Sequence, residues 1–157
     1  MQNVGCNLHS VIYILHFPVP PPRPSHAGLR HVALNVRDMD AMKRFYVDLL
    51  GFAIEWAPDP DNLYLSSGID NLALHRSTSL TASRAETATE GSALDHLGVI
   101  VRTPDAVDAL ASFLESRGVP IAARPRTHRD GARSCYVRDP DGNSVQIIHH
   151  PPISDKV

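Results

Sequence analysis

Residues 139–150 read DPDGNSVQIIHH and place a turn directly before a short apolar strand. Asp, Pro and Gly are residues that tight turns select, and the apolar run after them has the length of a β-strand. Gln146 stands inside that run, and burying a primary amide is costly unless its polar atoms find partners. The stretch therefore predicts a turn, a strand and a polar side chain with a specific task.

Two stretches nearer the start of the chain share one organisation. Residues 29–36 read LRHVALNV and residues 94–101 read LDHLGVIV, so His31 and His96 occupy matching positions. Both stretches are rich in aliphatic and β-branched residues and have the length of a strand. The chain therefore contains an internal repeat, and each copy opens on a strand with a histidine.

A helix is predicted after each opening strand. Asp38 can cap the first helix, whose apolar residues recur at helical spacing until Gly51. Thr103 and Pro104 give the second helix the preferred order of a cap residue followed by proline, and Gly118 closes it. Both helices thus carry start and stop signals of their own.

Three short strands are predicted after each helix, at Phe52–Trp56, Leu63–Ser66, Asn71–Arg76, Val119–Ala123, Ser134–Arg138 and Ser144–His149. Each copy is then a βαβββ module, and the modules cover residues 29–76 and 94–150, with residues 77–93 as a linker. A small sheet with one helix leaves its other face open, so two modules can curl their mixed sheets into a shared cup with the helices outside. The predicted class is α+β, with one domain over residues 29–150.

Composition limits the class of protein and its partners. The 157 residues carry a net charge of −2 and no basic stripe or polybasic patch, so neither nucleic acid nor a membrane is expected as a partner. Cys6 and Cys135 are too few for a disulfide framework, which favours a cytoplasmic location, and Cys135 is expected to be buried. The proline-rich residues 1–28 are expected to form a disordered or loosely attached leader, and residues 151–157 a tail. His149, close to the tail, is expected to face solvent.

Strand alternation sorts the side chains by the face of the sheet they occupy. Val32, Leu34 and Val36 suit the side of the helix, which directs His31 and Asn35 into the cup. The same counting places five further side chains in the cup, namely Tyr64, His75, His96, Tyr136 and Gln146. The glutamine of the closing stretch therefore points toward the two opening histidines.

The paired βαβββ modules, the two opening histidines and the closing DPDGNSVQI resemble the vicinal oxygen chelate superfamily. This superfamily includes glyoxalase I, extradiol ring-cleaving dioxygenases and metal-free bleomycin-binding proteins. The resemblance covers roughly residues 29–150 and implies a divalent metal (zinc, iron, nickel or manganese) held by His31, His96 and Gln146. The family usually has glutamate at the position of Gln146, and the matching position of the first module is Ala73, which cannot ligate. His75, two residues further on the same face, could replace it as a ligand if the strand shifts slightly.

The resemblance leaves three functions open. One is a glyoxalase I-like lyase or isomerase that polarises adjacent oxygens of a small-molecule substrate, with His75 as candidate base because an amide has no useful basicity. The others are an extradiol-dioxygenase-like oxidoreductase and a metal-free protein that sequesters a small molecule such as an antibiotic. His75, Asn35, Tyr64 and Tyr136 would line the substrate site. The cup could close within one chain or across a homodimer.

Overall fold

The computed structural model describes residues 28–79, 94–154 and 156. The first module consists of strand β1 (His31–Val36), helix α1 (Met39–Lys43) with a π-helical continuation (Arg44–Leu49), and strands β2 (Ala53–Asp59), β3 (Asn62–Ser66) and β4 (Asn71–Arg76). The second consists of strand β5 (Leu97–Ile100), helix α2 (Pro104–Ser116), and strands β6 (Ile121–Thr127), β7 (Arg133–Arg138) and β8 (Ser144–His149). A short helix α3 (Pro151–Ser154) follows the second module.

Each module forms its own four-stranded mixed sheet. The strand orders are β1-β4-β3-β2 and β5-β8-β7-β6, with parallel pairing of β1 to β4 and of β5 to β8 and antiparallel pairing elsewhere. Within the described residues the two sheets do not join into a closed barrel. The predicted α+β class with two βαβββ modules is confirmed.

The two main helices begin where their cap residues predict. The side chain of Asp38 accepts a hydrogen bond from the backbone N–H of Ala41 at 2.9 Å, and Thr103 Oγ1 accepts one from the N–H of Ala106 at 3.2 Å. Each bond satisfies an amide that has no partner inside the helix. Gly118 has a φ of 79°, the left-handed conformation that ends a helix at little cost for glycine.

The first helix differs from the prediction after Lys43. The N–H of Leu50 donates to the C=O of Phe45 at 3.1 Å, which is the five-residue spacing of a π-helix. Apolar spacing in the sequence does not distinguish this wider turn from an α-helix. Phe45 and Tyr46 are both buried here, and Tyr46 reaches the second module.

A single hydrophobic core contains side chains of both modules. Its fully buried members include Val36, Leu65, Leu74, Val107, Leu114, Val137 and Ile147. Burying one such side chain contributes about 1.5–3 kcal/mol. The predicted alternation holds in β1, where Leu34 and Val36 are buried while His31 and Asn35 are exposed, and Cys135 is buried as expected. We call the sheet faces that carry His31 and Gln146, opposite the helices, the inner face.

The repeat extends to irregularities in the edge strands. In β2, Ile54 pairs with Leu65 and Trp56 pairs with Tyr64, so one extra residue is inserted between the two pairs. In β6, the pairs of Ile121 with Val137 and of Ala123 with Tyr136 leave the same insertion. Each edge strand therefore carries a β-bulge at the matching position.

The DPDG turn holds the two modules together. Asp141 accepts hydrogen bonds from the backbone N–H and from Nε of Arg37, both at 2.8 Å. Asp139 accepts one from the hydroxyl of Tyr46 at 3.1 Å and two from Asn143, one from its backbone N–H and one from Nδ2. The stretch that marks the end of the repeat is thus also the contact through which the second module binds the first.

One expectation about the chain end is wrong. His149 is buried, because it follows Val145 and Ile147 on the helix-facing side of β8, and helix α3 begins at Pro151. Residues 1–27 of the predicted leader and 80–93 of the predicted linker lie outside the described residues. No helix among the described residues is long and apolar enough to cross a membrane.

Candidate functional site

The opening histidines of the two modules line one cavity of about 340 Å³. His31 begins β1 and His96 immediately precedes β5, and the walls also include Asn71, Tyr46 and Gly98. Tyr46 contributes to the cavity while it binds the second module, so the contact between modules and the shape of the cavity are linked. The structure thus brings His31 and His96 to a common space.

A chain of hydrogen bonds fixes the imidazole of His31. Its Nδ1 lies 2.7 Å from Oδ1 of Asn71, and Nδ2 of Asn71 donates to Oε2 of Glu55 at 2.5 Å. A carboxylate only accepts hydrogen bonds, so the amide group of Asn71 must turn its NH₂ toward Glu55 and its oxygen toward His31. Nδ1 of His31 is therefore the donor, and in the neutral imidazole Nε2 carries the lone pair.

Nδ1 of His96, like Nδ1 of His31, faces a hydrogen-bond acceptor, but the partner is different. This nitrogen lies 2.5 Å from Oδ1 of Asp95, a carboxylate that can only accept. The ring also packs edge-on against the ring of Tyr136, with the centroids 5.4 Å apart. In the neutral imidazole of His96, Nε2 therefore carries the lone pair that can bind a metal.

Gln146 is a buried amide with both N–H bonds in use. It is 8% exposed, and its Nε2 donates to the hydroxyl of Tyr136 at 2.8 Å and to Oγ of Ser134 at 3.1 Å. His128 Nε2 in turn lies 2.8 Å from the same Oγ. Because the nitrogen is occupied, the amide oxygen is the end of Gln146 without a partner in the described part of the chain. Tyr136 contacts Gln146 through its hydroxyl and His96 through its ring.

His75 lies at the other end of the inner face of the first sheet. It is four residues from Asn71 along β4, about 13 Å at the usual rise of a strand. Its Nδ1 is 2.6 Å from Oδ1 of Asn62, whose Nδ2 donates to both carboxylate oxygens of Asp59 at 2.8 and 3.0 Å. Asn35 lies beside it in β1. The cavity that holds His31 and His96 is lined by neither His75 nor Gln146.

Aromatic rings occupy the inner face between His31 and His75. Tyr64 pairs with Ala73 across the sheet, contacts His75 edge-on at 5.7 Å, and packs against Trp56 at 5.0 Å between centroids. Trp56 is 59% exposed. Ala73 occupies the position of β4 that matches Gln146 of β8, because Ala73 pairs with Ala33 as Gln146 pairs with Gly98.

The donor atoms fit a divalent metal of intermediate softness. Two imidazole nitrogens and one amide oxygen suit zinc, iron or nickel better than magnesium or calcium. Among residues 28–79 and 94–154 no three His, Cys, Asp or Glu side chains gather closely enough to hold an ion by themselves. The amide oxygen of Gln146 would add a neutral third donor to His31 and His96, although Gln146 does not line the cavity of the two histidines.

Comparison with known proteins identifies the family. The family model of the Glyoxalase/Bleomycin resistance protein/Dioxygenase superfamily matches residues 28–147. The chain is 33% identical over 125 residues to the virulence protein STM3117 of Salmonella typhimurium, covering 76% of this chain and 82% of that protein. The chain belongs to the Glyoxalase/Bleomycin resistance protein/Dioxygenase superfamily.

Solved structures share the fold. The glyoxalase family protein of Enterococcus faecalis has a TM-score of 0.63 at 27% identity, covering 78% of this chain and 98% of that one. A lactoylglutathione lyase of Agrobacterium tumefaciens has a TM-score of 0.63 at 21% identity, covering 82% and 98%. At that identity the second likeness concerns the fold alone.

Several residues of the site were not predicted from the sequence. The sequence patterns assign no role to Asp95, Ser134 or Glu55. A carboxylate next to a histidine was a usable signal for Asp95. Glu55 had no such signal, because regular alternation does not reveal a bulge that changes which residues face inward.

Proposed function

We propose that this protein is a metal-dependent enzyme that acts on a small molecule with two adjacent oxygens, in a lyase or isomerase reaction of the glyoxalase I kind. The observation that supports this most strongly is the pair of opening histidines in one cavity. Nδ1 of each is already engaged by an acceptor, so Nε2 of His31 and of His96 is the atom each offers to a ligand.

His31, His96 and Gln146 would hold the metal, with zinc, iron, nickel and manganese as the ions to test. When bound, the metal supplies Lewis-acid polarisation of the two substrate oxygens. Ser134 and Tyr136 keep the amide nitrogen of Gln146 occupied, which leaves its oxygen for the site. Since Gln146 adds no charge, the metal affinity should be lower than with a glutamate at this position.

Proton transfer in this reaction needs a base other than Gln146. His75 lies about 13 Å along β4 from Asn71, the partner of His31, so it is out of reach of a proton on a carbon beside oxygens bound at His31 and His96. We therefore propose that His75 lines the substrate site. A substrate that reaches from His31 to His75 would extend along about 13 Å of β4. Tyr64, Asn35 and Tyr136 would line its path.

The second candidate function is metal-free binding and sequestration of a small molecule. Ala73 favours it, because the position that matches Gln146 carries no ligating atom in the first module. The inner face with Trp56 and Tyr64 would then hold the molecule without reaction. An extradiol-dioxygenase-like oxidoreductase would use the same two histidines, and oxygen uptake with a catechol would identify it.

Metal binding by the purified protein tests the proposal. The protein is stripped with a chelator and then offered Zn²⁺, Ni²⁺, Fe²⁺ and Mn²⁺ in turn, beside the variants His31→Ala and His96→Ala. His150→Ala, a histidine outside the site, is the matched control. Close to one equivalent in the wild type and the control, and loss in both site variants, is expected. Uptake far below one equivalent for all four ions would remove the enzyme proposal and leave sequestration.

We place this activity in the cytoplasm and allow for a homodimer. Cys135 is a free, buried thiol, which suits a reducing compartment. Every residue of the edge strand β2 is exposed, and an uncovered strand edge is a surface that a second copy can cover.

A further inference from the structure

The structure assigns Glu55 to this site as the carboxylate that orients His31 through Asn71, an assignment that rests on the proposed function. We call Glu55, Asn71 and His31 the Glu55 relay. The matching positions of the two closing strands carry Ala73 and Gln146, so neither closing strand supplies a carboxylate there. Glu55 comes instead from the edge strand β2.

The β-bulge in β2 makes this contact available. Ile54 pairs with Leu65 and Trp56 pairs with Tyr64, so Glu55 and Trp56 together oppose the single residue Tyr64. The bulge directs the side chains of both Glu55 and Trp56 to the inner face, whereas regular alternation would place only one of the two there. Glu55 then reaches Nδ2 of Asn71 at 2.5 Å. Bulges often serve to aim a side chain in this way near functional sites.

The two modules provide a carboxylate for their histidines from positions that do not match. His96 receives Asp95 directly, and the matching residue before His31 is Arg30. His31 receives Glu55 from the bulge of β2, and the bulge of β6 carries Ala122 at the matching place. Each histidine therefore has a carboxylate behind its Nδ1, directly for His96 and through Asn71 for His31.

His75 provides an internal comparison. Asp59, Asn62 and His75 form the same sequence of carboxylate, amide and imidazole on the same inner face. A change at Asp59 therefore alters a relay of identical chemistry about 13 Å away along β4 without touching His31. This makes Asp59→Asn a matched control for the Glu55 relay.

The relay would act by keeping the proton of His31 on Nδ1. Asn71 accepts from Nδ1–H and is itself held in place by Glu55, so Nε2 presents its lone pair to the cavity. Without this partner the ring would divide between its two neutral tautomers and rotate more freely. Loss of such a partner behind a metal-binding histidine typically lowers metal affinity by roughly 10–100-fold. Glu55 and Asn71 are therefore positioning residues.

Nitrogen NMR of the imidazole rings in the metal-free protein tests the relay directly. The wild type and Asp59→Asn are expected to show His31 with its proton on Nδ1. Asn71→Leu and Glu55→Ala are expected to show a substantial share of the Nε2–H tautomer at His31, and Glu55→Gln to restore part of the wild-type signal. Because Glu55 is exposed, its variants are expected to fold normally.

Zinc affinity, measured by competition with a coloured chelator, completes the test. Glu55→Ala and Asn71→Leu should bind Zn²⁺ about tenfold more weakly or worse, while Asp59→Asn binds like the wild type. A wild type that binds no metal but holds His31 as Nδ1–H would remove the proposed function and keep the relay. The relay is overturned, and the proposed function is kept, if Glu55→Ala and Asn71→Leu change neither zinc binding nor the tautomer of His31.

Discussion

Replacing Tyr46 by phenylalanine should weaken the contact between the two modules while leaving the core packed. Tyr46 is 1% exposed, and its hydroxyl donates to the buried carboxylate of Asp139 at 3.1 Å. Its ring stays in place in Tyr46→Phe, packed edge-on against Phe45 and Phe52. The change therefore removes one hydrogen bond to a charged group and little else.

The expected cost of this change is about 2 kcal/mol, within the usual range for a hydrogen bond to an ionised partner. That corresponds to a decrease of roughly 4–8 °C in the midpoint of thermal unfolding for a domain of this size. Urea unfolding followed by circular dichroism measures the free energy. Tyr64→Phe is the matched control, because the hydroxyl of Tyr64 has no hydrogen bond within the described residues, and a change below about 0.5 kcal/mol is expected there. Equal effects in the two variants would refute the assigned role of Tyr46 and Asp139.

Three further results are expected. Gln146→Glu should strengthen Zn²⁺ binding, because it adds a negative charge and the hydroxyls of Ser134 and Tyr136 can still donate to it. Competition with a chelator measures the affinity, and an unchanged affinity would mean that this side chain does not face the ion. Arg37→Met should cost about 1–2 kcal/mol in urea unfolding, because the mostly buried Asp141 loses its guanidinium, and the loss should shrink in high salt. Burial and the Asp139 carboxylate raise the pKa of Tyr46 well above its ordinary value of 10.0, so the native protein retains a proton that the unfolded chain releases. Stability should therefore fall as the pH rises above about 10, and an equally steep alkaline decline in Tyr46→Phe would contradict this cause.

The elements of the fold were predictable because each carries a local signal. Asp38 and Thr103 cap their helices as expected, and the alternation in β1 separates buried Leu34 from exposed His31. The inward direction of Gln146 also follows from alternation, since β8 has no bulge at that point. Periodicity with caps and turns was therefore sufficient to identify both modules.

The remaining features depend on contacts between residues that are distant in the sequence. The π-helical turn at Phe45 arises from packing that a single helix pattern does not contain. Glu55 reaches Asn71 only because β2 has an extra residue opposite Tyr64. Site residues supplied by irregular backbone are thus the ones that sequence alternation misses.

The central claim is that His31 and His96 bind one ion together. Electron paramagnetic resonance of the protein loaded with a single equivalent of Cu²⁺ counts the nitrogens coupled to the copper, and imidazole is a good ligand for this ion. Coupling to two imidazole nitrogens is expected in the wild type, and to one in each of His31→Ala and His96→Ala. Coupling to a single nitrogen in the wild type, or a spectrum that neither variant changes, would contradict it.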